Sequence, residues 1–265
     1  MKQWFLSLAL MLTACQQTQQ KQENQQTSEP AVVPDTMAIP DTSQKAWVAP
    51  PPVDPEDWGE RDTVTIGDVL YTVTDIAPAE FMAVPAYQPR PETEEKNILP
   101  YAGKVSRRGD SLLLKLADGR TEVLVTSHSK GDDGADYNDA EYRFLDYIPA
   151  LKAYLVYVIG YEYYHCMLVH AVTGAKINTV SIPQLSPDKR SFICSNSDLV
   201  AGFTTNGFEL FRVAGDNIIL VQERQPENWG PVMIKWKDAK NLVAHLQERD
   251  GQMNEKDRFV MLVPR

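Results

Sequence analysis

What this chain lacks narrows its chemistry first. Cysteine and histidine are scarce, three and four residues in 265. They do not fall into metal-binding or redox spacings: there is no C-x-x-C and no H-E-x-x-H. His165 and His170 stand five apart in a strand-like stretch, where alternation sends them to opposite faces. Cys166 and His170 could share a face, but two ligands do not make a zinc site. Nor is there a G-x-S-x-G, a G-x-G-x-x-G or a P-loop. Ser186-Pro187-Asp188-Lys189 and Ser127-His128-Ser129-Lys130 match S-x-x-K. That motif works with Ser and Lys one turn apart on a helix, which Pro187 and the strand-rich surroundings of the first match oppose. These residues give no positive case for catalysis, metal or cofactor, although groups distant in sequence can still meet in a fold.

Positive charge is also short, 26 Lys and Arg against 36 Asp and Glu, for a net charge of −10. Nucleic-acid binding depends on Lys and Arg contacts to phosphate, so an acidic chain of this kind is not a nucleic-acid binder. The same balance opposes a surface that hugs anionic lipid and suits a basic protein partner. No amphipathic stripe beyond ten residues is visible. The most apolar stretch, Trp4 to Leu12, is about half the roughly 20 residues a helix needs to cross a bilayer.

What that stretch does fit is the core of an export signal, with Lys2 as its positive flank. It ends Leu12-Thr13-Ala14-Cys15, which resembles the lipobox of bacterial lipoproteins. The resemblance implies cleavage before Cys15, a diacylglycerol on its thiol and a fatty acyl chain such as palmitate on the new N-terminus. Several chains suffice for stable anchoring, because each buried CH₂ contributes about 0.8 kcal/mol. Gln16 in place of Asp implies the outer membrane, with the head in the periplasm or at the cell surface. Three regions follow: a signal peptide over 1–14, a lipidated Cys15 with a tether over 15–60, and a folded head over 61–265. The tether opens QQTQQKQENQQTSEP and continues with Pro30, Pro34, Pro40, Pro50, Pro51, Pro52 and Pro55, a composition too polar to bury a core. With Cys15 lipidated, Cys166 and Cys194 remain as an even pair in an oxidising compartment. Two readings stay open for them: a disulfide closing a loop of roughly 28 residues, or two buried free thiols.

The head reads as all-β. Short β-branched and apolar runs bounded by turn residues recur, such as Val64 to Ile66, Val69 to Val73, Leu112 to Leu114, Tyr154 to Ile159, Cys166 to Val169, Phe208 to Val213 and Ile218 to Val221. A short helix fits Pro78 to Met82, ended by Pro85, and the rest of Ala77 to Pro100 reads as a long loop. A faint repeat runs through the head. Four times a polar turn leads into an apolar strand and then another: after Arg108-Gly109-Asp110, after Ala150-Leu151-Lys152, after Ser186 to Arg190, and after Lys237 to Lys240. The spacing, from the high thirties to about fifty, is near that of a four-stranded propeller blade. Ser186 to Arg190 resembles the SPDGK turn of TolB-like and WD-repeat propellers. Val169 to Lys176 resembles their D-x-x-T-G-K hairpin, and Trp236-Lys237-Asp238 their W-S-x-D element. The first departs by lacking the Gly and the second by lacking the Asp. The resemblance implies a small β-propeller of four or five blades, closed by a strand from Thr63 to Thr74. The rivals are a β-sandwich or half-open barrel.

Candidate sites are few. The acidic run Asp132 to Glu141 has the carboxylates of a calcium loop but not the EF-hand spacing, so a solvated loop is the simpler reading. Tyrosine is dense at Tyr154, Tyr157, Tyr161, Tyr163 and Tyr164; strict alternation would put Tyr157, Tyr161 and Tyr163 on one face, as packing or as a binding surface. The functional expectation is a membrane-anchored, non-enzymatic module that binds an envelope protein. The alternatives are an immunity lipoprotein that captures a basic toxin, and an enzyme acting on envelope glycan or lipid.

Overall fold

The computed structural model describes residues 63–89, 93–127, 139–249 and 255–265. The signal, lipobox and tether segments, His128 and most of the acidic run lie outside them. Strands hold 57% of the described residues and helices 9%, so the head is all-β. The strands form four antiparallel sheets, twice the number a sandwich uses. The first is β3 (Val105–Arg108), β4 (Ser111–Lys115) and β5 (Thr121–Val125). The second is β6 (Ala140–Ile148), β7 (Ala153–Gly160), β8 (Tyr164–His170) and β9 (Lys176–Thr179). The third is β10 (Gln184–Leu185), β11 (Ser191–Asn196), β12 (Gly207–Ala214) and β13 (Asn217–Arg224). The fourth is β14 (Trp229–Trp236), β15 (Leu242–Arg249) and β16 (Glu255–Pro264). It is completed by the earliest described strands, β1 (Thr63–Ile66) and β2 (Val69–Asp75), with β2 paired antiparallel to β16. Each of the four repeats traced in the sequence falls within one sheet.

Each sheet packs on the next in chain order. Val105, Leu112, Leu114 and Leu124 of the first meet Phe144, Tyr154 and Val156 of the second. From the other face of β7, Ala153 and Leu155 meet Phe192, Cys194 and Phe211 of the third. Ile193, Phe208 and Leu210 then meet Ile234, Leu242, Leu246 and Leu262 of the fourth. An inner strand buried on both faces must be apolar at successive positions, which is why β7 reads AYLVYVIG and β11 begins SFIC. Fully burying such a Leu, Ile or Phe side chain contributes about 1.5–3 kcal/mol. The outer strand β5, by contrast, leaves Val123 and Val125 exposed.

Two short helices complete the head. Helix α1 (Pro78–Ala83) starts at a proline that fits the first helical position. It lays Phe81 and Val84 on Val243, on the face of β15 away from the third sheet. Helix α2 (Glu94–Ile98) corrects the expectation of an unbroken loop up to Pro100. It is held by long-range contacts: Glu94 Oε1 accepts the Phe144 N–H at 2.7 Å and Arg107 Nη2 at 2.6 Å. A five-residue helix has too few internal hydrogen bonds to leave a periodic signal in sequence.

Candidate functional site

A cleft of about 460 Å³ lies between the second, third and fourth sheets. Leu145 of β6, Tyr157 of β7, and Tyr164 and Cys166 of β8 form one wall. The link from β9 to β10 contributes Val180, Ser181 and Ile182, and the far side is Ser195 and Asn196 of β11 with Val232 and Met233 of β14. Tyr87 to Pro89, just beyond α1, close one end.

Local sequence explains this placement. Pro231 sits on β14, an edge strand, where a missing N–H breaks no ladder. A register shift between Pro231 and Met233 bends the strand beside the cleft. Tyr87 is fixed from both ends. Its N–H donates to Gln184 Oε1 at 2.9 Å, its carbonyl accepts Gln184 Nε2 at 2.9 Å, and its hydroxyl donates to Asp146 Oδ2 at 2.7 Å. The Tyr101 hydroxyl donates to the other oxygen of Asp146 at 2.6 Å. Burial first, and then the Asp146 carboxylate, push the Tyr87 phenol well above its usual range, so it acts only as a donor to Asp146. Lys235, 3% exposed, reaches under α1 from β14. Its Nζ donates to the carbonyls of Phe81 at 2.6 Å and Val84 at 2.7 Å and lies 3.7 Å from the Phe81 ring centroid. That contact secures the segment from which Tyr87 extends.

Chemically the cleft is mild. Among the described residues no Asp, Glu, Lys, Arg or His stands in its lining, and several of its polar groups are already engaged. Ser195 Oγ accepts the Ile234 N–H at 3.0 Å, and Ser181 Oγ accepts the Ser195 N–H at 3.0 Å. The Asn196 amide donates to Thr204 Oγ1 at 2.8 Å and to the Thr205 carbonyl at 2.9 Å. Those last contacts belong to the loop 197–206, organised by Asp198. Its carboxylate accepts the N–H groups of Ala201, Gly202 and Thr204 at 2.7–3.0 Å, and those donors hold its pKa below the ordinary carboxylate value despite partial burial. The loop projects Val200 and Phe203 into solvent, 66% and 51% exposed.

Behind the link, Glu209 of β12 accepts the Val180 N–H at 2.9 Å. Burial pushes its carboxyl up to about 7, with Glu223 of the neighbouring strand adding to the rise.

The tyrosines are not arranged as alternation predicts. Tyr161 and Glu162 form a hairpin turn between β7 and β8, with Glu162 at φ +60° and Gly160 N–H bonded to the Tyr163 carbonyl at 2.9 Å. The turn resets the period, so Tyr157 shares a face with Tyr164, ring centroids 5.8 Å apart, while Tyr163 stacks on His165. Tyr154 is core.

The resembling turns are built as hydrogen-bonded turns. Ser186 Oγ donates to Asp188 Oδ1 at 2.7 Å, which also accepts the Arg190 N–H at 3.0 Å, and Lys189 takes the left-handed φ of +60° that Gly would hold. Asp118 and Asp238 accept the N–H two residues on, from Arg120 at 2.9 Å and Lys240 at 2.8 Å. In the Val169 to Lys176 hairpin, His170 stands where the motif has Asp: its Nδ1 accepts the Thr173 N–H at 3.2 Å. His245 pairs with Asp257 at 2.8 Å on the fourth sheet. Among the described residues no three metal-ligating side chains converge. Glu141, at the described end of the acidic run, pairs with Arg143 at 2.6 Å. Cys166 and Cys194 are both buried free thiols.

No known family profile matches the chain, and no curated protein is significantly similar to it.

Proposed function

We propose that this is a lipid-anchored envelope protein whose head is a small four-bladed propeller-like module. In this reading it binds an extended, apolar segment of a protein partner in the cleft between its second, third and fourth sheets. The observation that carries the reading is the cleft's lining: aromatic and aliphatic side chains with a few neutral polar groups, and among the described residues no acid or base. Apolar concavity with a few polar groups is the usual form of a binding site. Glycoside hydrolysis needs two carboxylates flanking the bond, which this lining does not supply. The propeller reading draws on the four successive meanders and on β2 completing the last sheet from the other end of the head. The lipobox supports anchoring at Cys15.

The net charge of −10 favours a second reading, in which the partner is a basic toxin captured by electrostatic steering. The two readings differ in salt dependence: steered capture slows steeply as ionic strength rises, whereas cleft binding does not. Affinity capture from the native envelope tests the proposal, using wild type, Cys15→Ala as a mislocalised control, and Tyr157→Ala/Tyr164→Ala. One stoichiometric protein lost in both variants supports anchored cleft binding. A partner retained by the double variant moves the site off the cleft.

A further inference from the structure

The sheet-to-sheet seam behind the cleft brings the head's two cysteines together. Cys166 lies on β8 of the second sheet and Cys194 on β11 of the third, both in one apolar cluster with Leu155, Leu168, Phe192 and Phe211. Their strands are joined by one short segment, Thr179 to Ser181. Thr179 of β9 is the register partner of Cys166, and its hydroxyl donates to the Cys166 carbonyl at 3.5 Å and to the Ser181 carbonyl at 2.9 Å. Two residues on, Ser181 Oγ accepts the N–H of Ser195, the neighbour of Cys194 on β11, at 3.0 Å. Cys166 further lines the cleft, and both cysteines are buried. Glu209 is the direct cross-strand partner of Cys194, a spacing that puts their side chains on one face about 5 Å apart at Cβ.

We infer that Cys166 and Cys194, free thiols in this structure, close to an inter-sheet disulfide under oxidation, with Glu209 positioned to take the proton of Cys194 as the bond closes. It extends the envelope reading, since an oxidising compartment is where the bond persists. The step balances as thiol–disulfide exchange with a disulfide donor. The Cys166 thiolate attacks the donor's S–S bond and expels one donor thiol. The Cys194 thiolate, its proton passed to Glu209, then attacks Cys166 Sγ and expels the second thiol. Two protein thiols are oxidised and one donor disulfide is reduced. Burial pushes the Cys166 thiol up to about 12 and the Cys194 thiol well above 9, the latter with help from Glu209. Thiolate is therefore rare in the packed state, and exchange in the folded head is slow at neutral pH. The titratable groups facing the pair are Glu209, Glu223 behind it, Tyr157 and Tyr87.

The test uses the full chain, purified under reduction and then exposed to oxidised glutathione. Thiols are counted after denaturation by maleimide labelling and peptide mass mapping. We expect a Cys166–Cys194 crosslinked peptide, a midpoint of thermal unfolding higher by roughly 5–10 °C in the oxidised form, and a several-fold slower closure at pH 8 in Glu209→Gln. Two alkylatable thiols after long oxidation, or only glutathione adducts, overturn the disulfide. Unchanged closure in Glu209→Gln overturns the role of the carboxylate. A bond that forms in vitro but is missing from protein taken from cells would count against the envelope reading and leave the pairing standing.

Discussion

Single residues carry the pH sensitivity of this head. His170 is held neutral by burial, which lowers its pKa below the usual value of 6.5, and the turn uses Nδ1 as an acceptor. The unfolded chain binds the proton more readily, so the stabilising contribution is intact above pH 6.5 and lost as pH falls through the folded value. His170→Phe should cost about 1 kcal/mol at pH 7.5 and lose much of the wild type's destabilisation between pH 7 and 5; denaturant titrations at both pH values check it. Glu209 runs the other way. Its folded pKa of about 7 exceeds the ordinary 4.5, so stability is full below pH 4.5 and lost as pH rises through 7. Glu209→Gln keeps an acceptor for the Val180 N–H. It should match wild type near pH 4.5 and exceed it by about 1–3 kcal/mol at pH 8; equal stability at both pH values would contradict the burial account.

At the scale of elements, the turns and inner strands were the legible part. Asp118, Asp188 and Asp238 sit in polar turns for a reason visible in sequence, because Asp can accept a backbone N–H two residues on. Continuous apolar runs marked β7 and β11. The second helix escaped because its support comes from Arg107 and Phe144, distant in the chain. The tyrosine face escaped because one hairpin shifted the period. Gly207 shows a constraint that sequence hides: φ is +139°, and a Cβ there would lie 1.9 Å from the Arg224 carbonyl oxygen. Gly207→Ala should therefore destabilise by at least about 2 kcal/mol, read as a lower denaturant midpoint. Lys235→Met removes both carbonyl contacts beneath α1. It should raise amide exchange across Pro78–Ala83 while the exchange of β11 and β12 stays slow.

For the head as a whole, the described residues are organised as four meanders packed in sequence order, with the last completed by β1 and β2. Its repeats could be traced from sequence, but the cleft could not. The lining draws on positions 87, 145, 157, 166, 180, 195 and 232, and no local pattern links them. Removing residues 1–75 would bare the β16 edge to solvent. An uncovered long strand is an association hazard, so that truncation should aggregate or dimerise where removal of 1–60 leaves a monomer; light scattering distinguishes the two.

The central claim is that the cleft is the binding surface. A photo-crosslinking residue placed at Tyr164, at the cleft, and separately at Val125, on the outer strand of the first sheet, tests it in intact cells. The account predicts one discrete protein adduct from position 164 and none from 125. Adducts from 125 alone, or equal diffuse labelling from both, would contradict it.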